Sequence, residues 1–543
     1  MLRIALAQDD FLVGHISGNR DRIIHRIRQA RDEFNADLVV FPELALTGYP
    51  PEDLVLRPGF MALAEAALAD IAREVQGIDA VVCHPRAEAD KRFNSASWIR
   101  NGRILATYDK WDLPNYAVFD ERRYFVPGER AMVCELKGVP VGILVCEDTW
   151  TPEAAAAARD AGARLLLSLN ASPFYRDKHA DRAGLIRDRH RETGLPLVYL
   201  NCVGGQDELV FDGHSLAMDG NGDISAPATL CTEALLIVDF EDASGRIDYV
   251  HWPVGETETL PVTWSVLRRG LRDYVYKNGF ESVVLGLSGG IDSALVAALA
   301  ADALGPDRVT CVMMPSRHTS ELSLALATEQ IDLLGMAWEN ISIEPMYRAY
   351  LQQLAEPFAG RREGLAEENL QSRCRGGIIM ALSNKFGHLP LSTGNKSELA
   401  TGYCTIYGDM CGGFSPIKDC LKTLVYELAR WRNLQSPAIP EGVIERPPSA
   451  ELAPDQRDED SLPSYPELDE ILVRYVEHDE SIQEIVEAGF DEAVARRVAG
   501  LVLASEYKRR QGAPGPRITR KAFGRDRRYP ITSGWRDSGE ADS

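Results

Sequence analysis

The sequence predicts an α/β fold built as two consecutive halves. Short apolar segments of strand length alternate with helical segments along most of the 543 residues. Between the halves, segment 252–261 contains prolines, a glycine and acidic residues that interrupt any apolar period. We therefore expect two domains, 1–258 and 259–543, which agrees with the two to four domains that this length predicts.

The first half is predicted to be a layered α/β domain. Its apolar segments are short enough for buried strands, and helical stretches such as 19–34 and 60–75 separate them. The predicted strands are 3–7, 37–41, 80–83, 139–145, 164–169 and 197–201.

The second half is predicted to be a doubly wound parallel sheet. Apolar segments beginning at 282, 309 and 389 are separated by helices, and ligands of such sheets bind at the carboxyl ends of the strands. Prolines and acidic residues dominate an insertion at about 435–466, which reads as a long loop or a subunit contact. The residues after Arg536 are expected to be disordered.

Composition excludes several classes of function. A formal net charge of -22 argues against a nucleic-acid or anionic-membrane partner. No apolar stretch is long enough to span a membrane, and the first residues lack the pattern of a signal peptide. The 10 cysteines are scattered, which suits the cytoplasm, and the spacing of Cys404, Cys411 and Cys420 fits no zinc pattern.

The C-terminal tail departs from the acidic average. Segment 508–528 holds nine basic residues and one acidic residue. Such a tail fits an anionic ligand or an acidic neighbouring subunit, and the alternative is a solvated basic segment.

A phosphate-binding loop is predicted at 285–293, Leu-Gly-Leu-Ser-Gly-Gly-Ile-Asp-Ser, between a strand and a helix. Glycines allow a tight turn, serine hydroxyls donate, and the helix N-terminus favours an anion. Asp292 would repel a phosphate and is expected to face a metal ion. No Gly-Lys-Ser/Thr follows, so this is not a Walker loop. The loop resembles that of the N-type ATP pyrophosphatases, which implies ATP binding by Gly286, Leu287, Ser288, Gly289, Gly290, Ile291, Asp292 and Ser293.

Three motifs in the first half predict an amidase: Phe-Pro-Glu-Leu at 41–44, Tyr-Asp-Lys-Trp at 108–111 and Val-Cys-Glu-Asp at 145–148. They supply Glu43, Lys110 and Cys146. A carboxylate can deprotonate the thiol, and the ammonium can stabilise the resulting charge and an oxyanion. His179 and His190 are rival bases, but neither lies in a recognisable cysteine–histidine motif.

These motifs resemble the nitrilase, or carbon–nitrogen hydrolase, family. The resemblance implies an α-β-β-α sandwich and a supporting role for Glu121. Segment 170–178, Asn-Ala-Ser-Pro-Phe-Tyr-Arg-Asp-Lys, is similar to the glutamine-binding segment of glutaminases in this family. The resemblance assigns glutamine binding to Tyr116, Glu147, Ser172 and Lys178, with Lys178 placed provisionally at the α-carboxylate.

An amidase joined to an ATP pyrophosphatase resembles the family of glutamine-dependent NAD(+) synthetases over nearly the whole chain. The resemblance implies that deamido-NAD is adenylated by ATP and amidated with ammonia from L-glutamine, releasing AMP, pyrophosphate and glutamate. It assigns Thr393 to ATP, Asp292 and Glu398 to Mg²⁺, and Asn369, Glu398, Asp409 and Lys508 to deamido-NAD.

Adenylation has a physical reason, because a free carboxylate offers ammonia no competent leaving group. Ammonia must also arrive unprotonated, so we expect an internal tunnel between the two sites. The family further implies a homo-oligomer.

Three other interpretations stay open at this point. One is another amidotransferase on the same pyrophosphatase fold, similar to GMP or asparagine synthetases, although those carry different glutaminase halves. A second is a nitrilase with a nucleotide-sensing second half, and a third is a catalytically silent scaffold. The intact phosphate loop argues against the sensor, and the intact Glu43, Lys110 and Cys146 argue against the scaffold.

Overall fold

A computed structural model describes residues 1–448, 451–453, 462–535 and 537. The chain divides into two compact units, Met1–Val266 and Leu267–Ser543. The division falls within the helix Thr259–Lys277, so the domain boundary expected at residue 258 stays a prediction. Within the described residues, no helix is long and apolar enough to cross a membrane.

The first unit contains fourteen strands and four complete helices. The strands form a seven-stranded sheet of order β14-β13-β1-β2-β3-β4-β5, a five-stranded sheet of order β12-β9-β8-β7-β6, and the hairpin β10-β11. The strands are β1 (Leu2–Gln8), β2 (Leu38–Val40), β3 (Asp79–Glu88), β4 (Lys91–Arg100), β5 (Arg103–Asp109), β6 (Val133–Leu136), β7 (Val139–Val145), β8 (Leu165–Asn170), β9 (Leu197–Asn201), β10 (Val203–Gln206), β11 (Leu209–Asp212), β12 (Leu216–Met218), β13 (Ala234–Glu241) and β14 (Arg246–His251). The helices are α1 (Ile16–Asp32), α2 (Pro58–Glu74), α3 (Pro152–Asp160) and α4 (Lys178–Thr193).

These elements form the predicted α-β-β-α sandwich. Side chains of a strand alternate between its two faces, so Leu2, Ile4 and Leu6 of β1 pack in the core between the sheets while Ala5 and Ala7 pack towards α1 and α2. Helices α3 and α4 cover the outer face of the second sheet. Because both faces of these sheets are buried, several strands are nearly continuous apolar runs without visible alternation.

In its described residues, the second unit contains four parallel strands in the order β17-β16-β15-β18. They are β15 (Val283–Gly286), β16 (Val309–Met313), β17 (Ala337–Asn340) and β18 (Leu389–Leu391). The order reverses between β15 and β18, and ligands of doubly wound sheets bind at the carboxyl ends beside such a switch point. The predicted fold class is confirmed, although β17 was not predicted because its four residues are all exposed.

Helices surround this sheet and form most of the remaining unit. They are α5 (Thr259–Lys277), α6 (Ile291–Leu304), α7 (Glu321–Leu334), α8 (Glu344–Leu354), α9 (Leu365–Phe386), α10 (Lys396–Thr401), α11 (Lys422–Gln435), α12 (Glu441–Glu445), α13 (Tyr465–Leu472), α14 (Ile482–Glu487), α15 (Glu492–Ala504) and α16 (Glu506–Arg509). Helix α12 lies within the insertion expected at about 435–466. Residues 449–450 and 454–461 of that insertion lie outside the described residues, as do 536 and 538–543 of the tail expected to be disordered.

The basic tail is folded into the unit rather than fully solvated. The buried Arg517 forms an ion pair with Asp526 at 2.6 Å, and the buried Arg527 pairs with Glu506 at 3.1 Å. Arg509 also pairs with Glu506, at 2.8 Å. Much of the positive charge that the sequence assigns to this segment is therefore neutralised inside the unit.

Candidate active sites

Cys146 follows β7 directly and begins a short 3₁₀ turn, Cys146–Thr149. Its backbone has φ of 48°, a left-handed conformation that is uncommon for a residue with a side chain and often marks a functional turn. The side chain is buried. The chain therefore turns sharply at the end of the strand and holds the thiol inside the first unit.

Lys110 and Glu43 form a buried ion pair in the same unit. The Lys110 Nζ donates to Glu43 Oε1 at 2.7 Å, and both side chains are fully buried. Glu43 follows the short strand β2, and Lys110 follows β5. The structure thus brings together two residues that are 67 positions apart, as the motifs predict.

Glu121 holds Lys110 from the opposite side. Lys110 Nζ donates to Glu121 Oε1 at 2.9 Å and to Oε2 at 3.0 Å. The Tyr49 hydroxyl donates to Glu121 Oε1 at 2.9 Å. One ammonium therefore lies between two carboxylates, an arrangement that fixes the lysine through charge-assisted bonds.

Two further donors hold Glu43, and sequence reasoning missed both. Asn94 Nδ2 donates to Glu43 Oε1 at 2.8 Å, and the Ala171 amide donates to Oε2 at 3.2 Å. Asn94 lies on the antiparallel strand β4, where no motif is visible. These bonds orient the carboxylate and link it to the segment after β8.

The ionisation of this cluster follows from burial and from the neighbouring charges. Burial raises the pKa of the Cys146 thiol well above its ordinary value; Glu43 adds to the rise and Lys110 opposes it. Burial disfavours the Lys110 ammonium, but Glu121 and Glu43 outweigh burial and raise the pKa of Lys110. Burial also raises the pKa of Glu121 to about 7 against the opposing field of Lys110. At neutral pH, Cys146 is therefore a thiol that needs a base.

Asp148 connects the cysteine turn to the lysine segment. Its Oδ1 accepts from the amides of Trp111 at 2.9 Å and Asp112 at 2.8 Å. Its Oδ2 accepts from the Tyr108 hydroxyl at 2.7 Å and from the Val145 amide at 2.9 Å. Asp148 lies inside the Val-Cys-Glu-Asp motif, so its presence was visible in the sequence, but its four partners were not.

The residues assigned to glutamine lie around the cysteine turn. The Tyr116 hydroxyl donates to Glu147 Oε1 at 2.9 Å, and Glu147 follows Cys146 in the chain. Lys178 Nζ lies 4.0 Å from the centre of the Trp150 ring and 4.7 Å from that of Tyr175. Burial raises the pKa of Glu147, while Tyr116, Lys110 and Lys178 oppose the rise.

Ser172 is held from behind by a buried arginine. Arg182 Nη2 donates to the Ser172 carbonyl at 2.7 Å, and Arg182 Nη1 donates to Asp212 Oδ2 at 2.9 Å. The Ser172 amide donates to Asn201 Oδ1 at 2.9 Å. The sequence showed Arg182 and Asp212 only as charged residues on a helix and on a strand.

The two rival histidines have other surroundings. His190 Nδ1 lies 2.9 Å from the Leu195 carbonyl. The His179 ring packs edge-on against the ring of His214, with centroids 5.5 Å apart. The charged groups that most affect the pKa of Cys146 are Glu43, Lys110, Glu147 and Glu121, and neither histidine is among them, which favours a carboxylate as the base.

In the second unit, the phosphate loop follows β15 and opens α6. Gly289 has φ of 78°, and a Cβ built there would lie 2.3 Å from the Ser323 carbonyl oxygen, so the close turn requires glycine. Ser293 Oγ accepts from the Ser288 amide at 3.2 Å and lies 3.0 Å from Ser288 Oγ. Both serine hydroxyls therefore brace the loop, in addition to the donor role that the sequence suggests.

The loop borders a cavity of about 390 Å³ at the carboxyl ends of β15 and β18. The cavity collects nearly all residues that the sequence assigned to nucleotides. The assigned residues that line the cavity are Gly286, Leu287, Ser288, Gly290, Ile291, Asp292, Ser293, Asn369, Thr393, Glu398, Asp409 and Lys508. The topological switch point thus unites segments separated by more than two hundred residues.

Lys422 lies between the two residues assigned to the metal. Its Nζ donates to Asp292 Oδ2 at 2.5 Å and to Glu398 Oε1 at 3.2 Å. Asn395 Nδ2 donates to Asp292 Oδ1 at 2.9 Å. No motif surrounds Lys422, and its role in the cavity was not predicted.

Asp292 and Glu398 fit a magnesium ion whose remaining ligands are substrate phosphates and water. Mg²⁺ prefers oxygen ligands and is usually held by one or two carboxylates together with substrate phosphates and water. Asp292 and Glu398 converge on one Nζ atom, so a cation already occupies the space between them. Within the described residues, no group of three or more His, Cys, Asp or Glu side chains could hold a metal ion by itself.

Three other assigned residues, Asn369, Asp409 and Lys508, lie on α9, in the segment after α10 and on α16. The Thr405 hydroxyl donates to Asn369 Oδ1 at 2.7 Å, and the Thr405 amide donates to Asp409 Oδ1 at 2.6 Å. Lys508 Nζ donates to the carbonyls of Gly402 at 2.7 Å and Cys404 at 2.9 Å. Thr405 therefore connects two of the assigned residues directly.

Comparison with known families agrees with this division into two sites. The carbon–nitrogen hydrolase family model matches residues 3–246, and the NAD synthase family model matches residues 263–512. The fold and the sites thus define a class of two-unit enzymes in which an amide hydrolase is joined to a nucleotide-dependent synthase.

Full-length relatives define the family. The chain is 54% identical over 539 residues to the glutamine-dependent NAD(+) synthetase of Xanthomonas campestris pv. campestris, covering 98% of each chain. It is 46% identical to that of Acinetobacter baylyi, covering 98% of this chain and 99% of the relative. The solved structure of the Acinetobacter baumannii synthetase in complex with ADP is similar, with a TM-score of 0.80, 42% identity and 99% of both chains covered. The chain belongs to the glutamine-dependent NAD(+) synthetase family.

Proposed function

We propose that this chain converts deamido-NAD to NAD, using ATP and ammonia released from L-glutamine. The observation that carries the proposal is the combination, in one chain, of the buried Glu43, Lys110 and Cys146 cluster with the phosphate-loop cavity. Family membership and the relative bound to ADP support the substrates. A hydrolase alone has no need of the second cavity, and a synthase that uses only free ammonia has no need of the first cluster.

In the first site, Glu43 takes the proton of Cys146 as the sulfur attacks the amide carbon of glutamine. Lys110 stabilises the oxyanion, and Glu121 holds Lys110 in place. The intermediate collapses to a thioester, and ammonia leaves with the proton returned by Glu43. Glu43 then activates water, and hydrolysis of the thioester releases glutamate. Tyr116, Glu147, Ser172 and Lys178 bind glutamine in this proposal.

In the second site, the amides of the phosphate loop bind the pyrophosphate portion of ATP, and Thr393 contributes to ATP binding. Asn369, Asp409 and Lys508 bind deamido-NAD, as does Glu398. Mg²⁺ held by Asp292 and Glu398 would supply charge neutralisation for the departing pyrophosphate. Ammonia attacks the adenylated carboxyl carbon and displaces AMP. Lys422 would yield its position between the two carboxylates and turn towards a phosphate.

Two variants test the proposal. Cys146→Ala is expected to abolish NAD formation with glutamine and to keep it with ammonium salt, whereas Asp292→Asn is expected to abolish both. The matched controls are Cys134→Ala in the first unit and Asp302→Asn at the far end of α6, which should keep both activities. Absence of NAD from either nitrogen source in the wild type would refute the proposal.

The same proposal includes a homo-oligomer in the cytoplasm and transfer of ammonia without release to solvent. Light scattering measures the mass of the assembly, and cell fractionation measures its location. Free ammonia in the medium, measured during glutamine-driven turnover, should remain far below the amount of NAD formed. Stoichiometric leakage would contradict the transfer.

A further inference from the structure

The nucleotide cavity contains an arginine to which the preceding assignments give no role. Arg375 lies on α9 and lines the cavity. Its Nε donates to the Met314 carbonyl at 3.1 Å. Its two terminal nitrogens form no hydrogen bond with any residue that the structure describes, so the donor fork is available to a ligand.

The position of Arg375 follows from the periodicity of α9. The helix contributes Glu368, Ser372, Arg375 and Ile379 to the cavity, at the spacing of three or four residues that marks one helical face. Asn369 lies on the same wall, six residues before Arg375, which corresponds to about 9 Å along the axis at 1.5 Å per residue. The two side chains can therefore contact different parts of one extended ligand.

The hydrogen bond to Met314 places Arg375 beside the phosphate loop. Strands β15 and β16 are parallel, with Gly286 opposite Val312, and the Leu287 amide at the start of the loop donates to the Val312 carbonyl at 3.0 Å, two residues before Met314. A Cβ built on Gly286 would lie only 2.9 Å from the Met314 Cε, which shows how closely the two segments approach. The guanidinium is thus held at the beginning of the loop.

Arg375 differs from the lysines that line the same cavity in the groups that hold its charge. Lys422 is held by Asp292 and Glu398, and Lys508 is held by two carbonyls. Burial lowers the pKa of Arg375, while Glu451 partly opposes this through its charge. A partly buried guanidinium with open donors favours an anion, and its planar fork matches two oxygens of a phosphoryl group.

We propose that Arg375 binds the α-phosphoryl group of ATP and stabilises its charge while the substrate carboxylate attacks it. This rests on the proposed function. In that step a carboxylate oxygen forms a bond to the α-phosphorus, and the bond from that phosphorus to the bridging oxygen breaks. Pyrophosphate leaves with the electron pair, and no proton moves. The charge on the α-phosphoryl oxygens is redistributed as these bonds form and break, and a cation that binds this group more tightly in the transition state than in bound ATP accelerates the transfer.

The test is the exchange of labelled pyrophosphate into ATP, driven by deamido-NAD with no nitrogen source. Arg375→Gln is expected to slow the exchange about 10²- to 10³-fold, while the dissociation constant of ADP, measured by calorimetry, changes less than about tenfold. Arg375→Lys keeps the charge but loses the fork and should be intermediate. The control is Lys385→Gln, an exposed residue of the same helix, which should exchange like the wild type.

A structural role predicts different results. If Arg375 only supports α9, ADP affinity and thermal stability should fall together with the exchange rate, and added guanidinium ion should not rescue Arg375→Ala. If Arg375 acts on the phosphoryl group, guanidinium ion should restore part of the exchange. Exchange within threefold of the wild type in Arg375→Gln would overturn the inference alone. Absence of deamido-NAD-dependent exchange in the wild type would instead overturn the proposed function.

Discussion

Replacing Gly289 by alanine should disable the second site and leave the first intact. Gly289 has φ of 78°, and a new Cβ would lie 2.3 Å from the carbonyl oxygen of Ser323. That oxygen belongs to the first turn of α7, which Ser320 caps through the Ser323 amide, so it cannot move freely. An ordinary contact begins near 3.4 Å, so loop and helix must separate by about 1 Å.

The effect of this shift can be estimated from two contributions. The left-handed backbone costs alanine about 1 kcal/mol relative to glycine. A displacement of about 1 Å at a site that positions reactants can cost about 10² in rate. We therefore expect ammonium-driven NAD synthesis to fall at least about 10²-fold and ADP affinity to fall, while glutamine hydrolysis stays close to the wild-type rate.

Gly279 provides a matched control in the same unit. It also has φ of 78°, but a Cβ built there meets nothing within 4 Å. Gly279→Ala should therefore lose about 1 kcal/mol of stability and keep both activities. Calorimetry with ADP and initial rates with ammonium salt measure the comparison. If Gly289→Ala binds ADP and makes NAD like Gly279→Ala, the close contact with Ser323 does not constrain the loop.

Two further predictions concern the first site. Glu121→Gln should slow glutamine hydrolysis at pH 8, and the difference from the wild type should shrink as the pH falls to 6. Burial raises the pKa of Glu121 to about 7, so acid neutralises the wild-type carboxylate as well. A ratio of wild-type to variant kcat/KM that stays constant with pH contradicts this. Asp148→Asn should reduce glutamate release about 10²-fold while ammonium-driven synthesis is unchanged. The asparagine side chain cannot accept all four hydrogen bonds that connect the cysteine turn to the lysine segment. An effect below threefold would show that those bonds do not position Cys146.

The parts of the two sites that the sequence predicts are those carried by local motifs. The loop at 285–293 contains its own turn, donors and helix start, so a single segment specifies its geometry. Cys146 similarly follows an apolar strand in a recognisable motif. In both cases neighbouring residues in the chain determine where the side chain lies, and long-range packing is not needed to see it.

The missed residues reach the sites through tertiary packing. Lys422 contacts Asp292 across 130 positions of the chain, and Asn94 contacts Glu43 across 51. Lys422 stands at the first position of an ordinary helix, and Asn94 on an alternating strand, where each looks like a surface residue. Only the parallel order of β15 and β18, or the pairing of β3 with β4, brings them inward. A local pattern cannot contain this information.

The net charge of the cluster around Cys146, which contains Glu43, Lys110 and Glu121, explains why its buried thiol can react. Above pH 7, where Glu121 is ionised, Lys110 is positive and Glu43 and Glu121 are negative, so the cluster carries a net charge of -1 while Cys146 is protonated. Release of the thiol proton to solvent would add a second buried negative charge, which burial penalises strongly. Transfer of the proton to Glu43 leaves the net charge at -1 and only moves it from carboxylate to sulfur. The rate of thiol alkylation in the free enzyme should therefore depend on the presence of Glu43: Glu43→Gln should make Cys146 nearly inert at neutral pH, whereas alkylation at the wild-type rate would show that another group takes the proton.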